Sequence, residues 1–199
     1  EFSKEISGII QDRGIKFKPD MVIVGYFLND ATLKASNVLI TNRIRKGHVA
    51  ISNNSMETNS HLLRFLYKTI EKQKLTKSTI KEYHDSYFNN TELWEKNKKA
   101  LLGLKTFSEK ENFTLIVVIF PILYDLKDNT YPFIDIIHTI DSFLKENNIH
   151  SHSLLPYFQG YKEKNLWLTI NNAHPNEKGH EIASSGIKEI LVNNYLPNK

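Results

Sequence analysis

The sequence predicts a single α/β domain of 199 residues built on a mainly parallel sheet. Two continuous apolar runs, Met21–Leu28 and Phe113–Leu123, have the length and composition of strands that are covered on both faces. Segments with helical periodicity lie between these runs and after the second one. Strands that alternate with helices in this way are typical of a parallel sheet joined by right-handed crossovers.

The elements are predicted in the following order. The first strand covers Met21–Phe27, after a Lys18-Pro19-Asp20 segment whose proline disfavours helix. The second strand covers Phe113–Phe120 and stops at Pro121, and a short third strand covers Ile149–Leu155. Helices are predicted in four segments with apolar side chains at helical spacing: Leu62 to Ile70, Leu93 to Phe107, Phe133 to Leu144 and Pro175 to Tyr195.

A polar stretch, residues 32–60, separates the first strand from the first of these helices. It is rich in Asn and has no sustained period. We interpret it as an insertion above the carboxyl ends of the strands, where it would act as a lid. No repeat or linker divides the rest of the sequence, so residues 1–199 are interpreted as one domain.

The composition excludes several classes of protein. The absence of cysteine rules out disulfide frameworks and thiolate chemistry, and no apolar run reaches the length of a membrane span. The net charge is +4, but the lysines are interspersed with acidic residues, as in Lys68–Glu82. We interpret them as a solvated helical face and expect no nucleic-acid partner. The composition is compatible with a secreted, periplasmic or cytoplasmic location.

Polar residues collect where the predicted strands end, which is where parallel α/β sheets bind their ligands. Asn29 and Asp30 follow the first strand directly, so the Asn29 amide is placed to offer an N–H to a ligand oxygen. Taken alone, an Asn-Asp turn that satisfies its own backbone is the alternative interpretation. We expect Phe27, Asp30 and Pro121 to contact the substrate at this rim.

A histidine precedes the last predicted helix. His174 is followed by Pro175, which is favoured at the first helical position, so the imidazole would lie at a helix N-terminus that favours the neutral ring of a general base. A histidine that packs or caps the helix is the alternative. His180 points elsewhere on the helix, and His150 and His152 lack a third ligand, so no metal or cofactor site is predicted.

Six blocks follow one another in a characteristic order along the chain. They are Lys18 to Asp30, Ile119-Phe120-Pro121, Tyr131-Pro132-Phe133, Leu154 to Phe158, Leu166-Trp167-Leu168 and Ala173 to His180. Together they resemble the later blocks of bacterial SGNH (GDSL-type) hydrolases, and the match extends from about Lys18 to the end of the terminal helix. The resemblance implies a three-layer α/β/α, flavodoxin-like fold with a mainly parallel sheet.

The resemblance also implies a serine ester hydrolase that acts on a small acyl ester without a cofactor. Asn29 matches the side-chain oxyanion donor of the family, and His174 matches its base. An amide N–H suits the first role because it stabilises developing negative charge without titrating; loss of one such donor costs about 10²–10³ in rate. A neutral imidazole suits the second role because it accepts the proton of the nucleophile.

Two features depart from the family pattern. The Gly-Asp-Ser turn and the oxyanion glycine would both precede residue 1, so we expect the serine and the first strands to lie in a missing N-terminal segment, and this chain alone to be inactive. The family's acid, two or three residues before the base, is replaced by Asn172 and Asn171. Asparagine accepts a hydrogen bond without stabilising charge, and a triad whose Asp becomes Asn loses about 10⁴ in turnover.

Three functions are compatible with these residues. The first is ester hydrolysis with His174 as base and Asn29 as oxyanion donor. The second is a non-catalytic binding protein, a degenerate SGNH fold that holds a carbohydrate or a lipid acyl group, which the two asparagines before His174 favour. The third is O-acyl transfer, since the same site can transfer its acyl group to a carbohydrate hydroxyl instead of to water.

Overall fold

The computed structural model describes residues 8–32, 61–127, 130–169 and 172–196; the predicted insertion therefore lies outside the described residues except for Thr32. The strands are β1 (Met21–Phe27), β2 (Thr114–Phe120), β3 (His150–Ser153), β4 (Trp167–Thr169) and β5 (Asn172–Pro175). The α-helices are α1 (His61–Phe88), α2 (Glu92–Glu111), α3 (Ile134–Glu146), α4 (Leu155–Phe158) and α5 (Glu177–Asn194). None of the helices within these ranges combines the length and the apolar composition needed to cross a lipid bilayer.

Three strands form a parallel sheet in the order β1-β2-β3. The register pairs Phe27 with Phe120 and Val118 with His152. The central strand β2 is buried from Leu115 to Ile119, as expected for an apolar run that is covered on both faces. These pairings confirm the mixed α/β class and the parallel sheet that the sequence predicts.

Helices cover both faces of β3. The Ser151 hydroxyl donates a hydrogen bond to the Asp141 carboxylate of α3 at 2.6 Å. The next residue, His152, instead makes a hydrogen bond through Nε2 to the hydroxyl of Tyr195, just after α5, at 2.8 Å. Because successive strand residues point to opposite faces of a sheet, α3 and α5 lie on opposite sides of it.

The β1 edge of the sheet is covered unequally. Tyr26 is fully buried and packs edge-on against Trp94 of α2, with ring centroids 6.2 Å apart. Trp94 in turn contacts Phe143 of α3, so α2 and α3 share one side of the sheet. Ile23 and Phe27 point to the face of β1 opposite to that of Tyr26, and they are 40% and 44% exposed. The other face of β1 is therefore partly uncovered.

The region before the last helix differs from the sequence prediction. The segments β4 and β5 pair as an antiparallel hairpin, and α5 begins only at Glu177. Asn176 caps this helix by accepting a hydrogen bond from the Gly179 N–H at 3.0 Å, which an asparagine does well. The prediction that Pro175 opens the helix and places His174 at its N-terminus is therefore wrong. Both residues belong to a strand.

Candidate active site

The ends of β1 and β2 form one rim of the sheet. Asn29 lies two residues after β1, in a 3₁₀ turn that covers Leu28–Ala31, and Pro121 follows β2 directly. Since Phe27 pairs with Phe120 in parallel register, both segments leave the sheet side by side. The rim thus joins two of the segments that the sequence identifies.

The turn at Asn29 is fixed through its main chain. The Asn29 carbonyl accepts hydrogen bonds from the Thr32 N–H at 3.1 Å and from the Thr32 hydroxyl at 2.8 Å. Within the described ranges, the side-chain amide of Asn29 makes no hydrogen bond, and Asp30 instead satisfies the local backbone by accepting the Phe27 N–H at 2.9 Å. A half-buried amide in a fixed turn is suited to donate to a ligand oxygen.

Two helices hold this turn from the buried side. The Tyr87 hydroxyl donates to the Leu28 carbonyl at 2.9 Å and lies 3.2 Å from the Tyr26 hydroxyl, which accepts from the Asn97 amide at 3.1 Å. Burial raises the pKa of both phenols, so they stay neutral donors. No sequence pattern indicates this chain of hydrogen bonds, because its members are up to 71 residues apart.

The second part of the candidate site is an imidazole on β5. His174 is exposed, and Asn172 accepts its backbone N–H at 3.1 Å through Oδ1. The ring Nδ1 of His174 lies 2.5 Å from the same oxygen. A backbone N–H can only donate, so the atom that it faces is the amide oxygen and Nδ1 must carry a hydrogen. In the neutral ring, Nε2 is then the proton acceptor that a general base requires.

The hairpin that carries His174 is attached to the rim. The indole Nε1 of Trp167 donates to the Leu123 carbonyl at 2.7 Å, three residues after β2 ends. The Asn176 amide also donates to the Asn165 carbonyl at 2.9 Å and to the Trp167 carbonyl at 3.2 Å. The sequence signal for this attachment is Trp167 itself, because a buried indole N–H usually needs an acceptor, but the sequence does not indicate which acceptor it finds.

A β-bulge lies at His174. Trp167 pairs with Pro175 and Thr169 pairs with Asn172, so β5 has one residue more than β4 between these two pairs. Leu168 therefore opposes both Ala173 and His174. Bulges of this kind turn a side chain away from the regular strand direction and are common beside active sites.

The other predicted site residues are placed as follows. Asn171 lies outside the described residues. Phe27 stacks on Phe120 with ring centroids 4.6 Å apart, and its outer face stays open to solvent. Pro121 is buried at the rim. The structure thus brings Asn172 and His174 into direct contact, places Asn29 at the rim to which their hairpin is attached, and keeps Asp30 engaged with the backbone.

The remaining histidines on β3 serve the packing of α5. His150 and His152 both meet the Tyr195 ring edge-on, at centroid distances of 5.4 and 5.7 Å. Burial and the neighbouring His150 lower the pKa of His152, so its neutral form is favoured. In the part of the chain that the structure describes, no three His, Asp or Glu side chains converge on a point where a metal ion would bind.

Comparisons of this chain with protein-family models, with curated proteins and with solved structures give no match. The resemblance to SGNH hydrolases thus stays a prediction that rests on the sequence blocks.

Asp30 gives the rim a pH dependence. Burial raises the pKa of its carboxyl from 3.8 to about 6, and the hydrogen bond from the Phe27 N–H only partly opposes this shift. The folded state thus binds the proton more tightly than the unfolded state, and the free energy of unfolding decreases as the pH rises from about 4 to about 6. The variant Asp30→Asn tests this dependence, because an asparagine side chain keeps an acceptor for the Phe27 N–H without a buried charge.

At pH 7.5 we expect the free energy of unfolding, measured by urea titration, to be higher for Asp30→Asn than for the wild type by about 1–3 kcal/mol. At pH 3.5 the two proteins should be equally stable. Asp20→Asn changes an exposed residue and is the control. Its difference from the wild type in free energy of unfolding should be the same at both pH values. A difference between Asp30→Asn and wild type that is the same at both pH values would refute the assignment.

Proposed function

We propose that this chain forms part of an SGNH-type serine ester hydrolase, in which His174 is the general base and Asn29 donates to the oxyanion. The serine nucleophile comes from outside residues 1–199, and the substrate is a small acyl ester. The observation that carries the proposal is the contact of Asn172 Oδ1 with the backbone N–H and the ring Nδ1 of the exposed His174, because in a neutral ring this contact leaves Nε2 as the proton acceptor.

Asn172 supplies one of the two effects that the acid of a serine triad provides. It accepts the Nδ1 hydrogen and so fixes the ring orientation and the tautomer. The other effect, stabilisation of the imidazolium by a negative charge, is missing from an amide. We therefore propose an enzyme with low turnover, since the exchange of Asp for Asn in a triad costs about 10⁴.

The arrangement of the sheet supports a flavodoxin-like fold. Its parallel order β1-β2-β3 agrees with the last three strands of the order 2-1-3-4-5, and α3 and α5 cover opposite faces. In that order a further parallel strand would pair with β1, which is an edge strand of the sheet that the described residues form. An apolar strand edge of this kind readily accepts another strand, and we place the serine-bearing segment there.

The proposed reaction uses the two rim groups in sequence. Nε2 of His174 takes the proton of the serine hydroxyl as its oxygen attacks the ester carbonyl, and the Asn29 amide donates to the oxygen that becomes negative. The His174 imidazolium then protonates the departing alcohol oxygen. Water repeats the two steps on the acyl-serine and releases the acid.

The base is tested by hydrolysis of p-nitrophenyl acetate with the protein at its full natural length. His174→Ala is expected to lower kcat/KM by about 10²–10⁴, because the serine loses its proton acceptor. His180→Ala removes another exposed histidine only six residues away and should leave the rate unchanged. Equal rates for His174→Ala and wild type would remove His174 from the mechanism. Residues 1–199 alone are expected to show no turnover.

Asn172 also favours a second function, a binding protein that retains the cleft of a degenerate SGNH fold. The variant Asn172→Asp separates the two functions, because a carboxylate adds the missing charge without changing the shape of the side chain. If the protein is an enzyme, kcat should rise at least about tenfold. Asn172→Leu should lower kcat, since it no longer orients the ring. Absence of turnover in wild type and in Asn172→Asp would support the binding protein.

A further inference from the structure

We infer that Leu168 contacts the alcohol part of the substrate, and that the preferred esters carry an apolar alkyl or aryl alcohol. This inference rests on the proposed function and specifies its substrate class. Leu168 is 58% exposed and opposes His174 across the bulge between β4 and β5. The hairpin is fixed, because the neighbouring Trp167 is held by the Leu123 carbonyl.

Exposed leucines are common on protein surfaces and alone indicate nothing. The position of Leu168 is what distinguishes it. Its two neighbours on β4, Trp167 and Thr169, form the ladder pairs that flank the bulge, so Leu168 is the β4 residue that opposes Ala173 and His174. An exposed apolar side chain thus belongs to the β4 residue that opposes His174, where a purely polar substrate would gain no apolar contact.

The chemistry decides which part of an ester lies beside the base. During acylation the bond between the serine oxygen and the acyl carbon forms, and the bond between the acyl carbon and the alcohol oxygen breaks. The proton that Nε2 of His174 took from the serine passes to that alcohol oxygen, so this oxygen must come within hydrogen-bond distance of Nε2. In the proposed complex the alcohol substituent therefore lies against Leu168, and the carbonyl oxygen accepts from the Asn29 amide.

An alkyl group that covers Leu168 removes apolar surface of both partners from water, which stabilises the complex roughly in proportion to the buried area. A sugar hydroxyl at the same place would be desolvated against an isobutyl group without a hydrogen-bond partner from it. The geometry therefore favours esters of simple apolar alcohols over esters of carbohydrates.

The test compares ethyl acetate with hexyl acetate, which share the acyl group and differ only in the alcohol. Acetate release is followed by pH-stat titration with the full-length protein. In the wild type, kcat/KM should be higher for hexyl acetate. Leu168→Ala should lower kcat/KM for hexyl acetate about tenfold and change that for ethyl acetate less than about twofold. Leu168→Met keeps an apolar contact and should retain the preference.

Leu196→Ala is the matched control, because Leu196 is 50% exposed but follows α5, whose 18 residues span about 27 Å. It should leave both rates unchanged. Hydrolysis that depends on His174 but shows the same hexyl-to-ethyl ratio in Leu168→Ala and wild type overturns this inference alone. Absence of hydrolysis that depends on His174 overturns the proposed function and this inference with it.

Discussion

The parallel pairing of β1 with β2 is the constraint on which the candidate site depends. Its register sets Phe27 beside Phe120, so the turn that carries Asn29 and the segment after β2 leave the sheet at one rim. The indole of Trp167 then attaches the β4–β5 hairpin to this rim through the Leu123 carbonyl. The turn that carries Asn29 and the hairpin that carries His174 are thereby each joined to the segments that leave β1 and β2.

Much of the scaffold could be predicted because its signals are local. The apolar runs of β1 and β2 and the helical periodicity of α2 and α3 are visible in short windows of sequence, and the observed bounds of these elements agree with the predicted ones to within a few residues. Buried side chains such as Ile116 and Ile140 lie where the periodicity places them. Burial of apolar surface dominates these choices, so the sequence pattern suffices.

The environment of His174 could not be predicted in the same way. A His-Pro pair before an amphipathic segment resembles a helix start, but the cap is Asn176, and the residues before it pair with β4. That pairing depends on Trp167, whose acceptor lies 44 residues away, and no local window contains such a contact. The sequence shows Asn171 and Asn172 as a departure from the acid, but it does not show that Asn172 Oδ1 contacts the backbone N–H and the ring Nδ1 of His174.

The tautomer of His174 decides whether Asn172 prepares this ring as a base. Long-range ¹H–¹⁵N correlation spectra of the labelled protein, recorded at a pH at which the ring is neutral, identify the nitrogen that carries the hydrogen. We expect a protonated Nδ1 and an unprotonated Nε2 in the wild type, and loss of this preference in Asn172→Leu. A wild-type spectrum with the hydrogen on Nε2 would contradict the proposed role of Asn172 and the proposed role of His174 Nε2 as a proton acceptor.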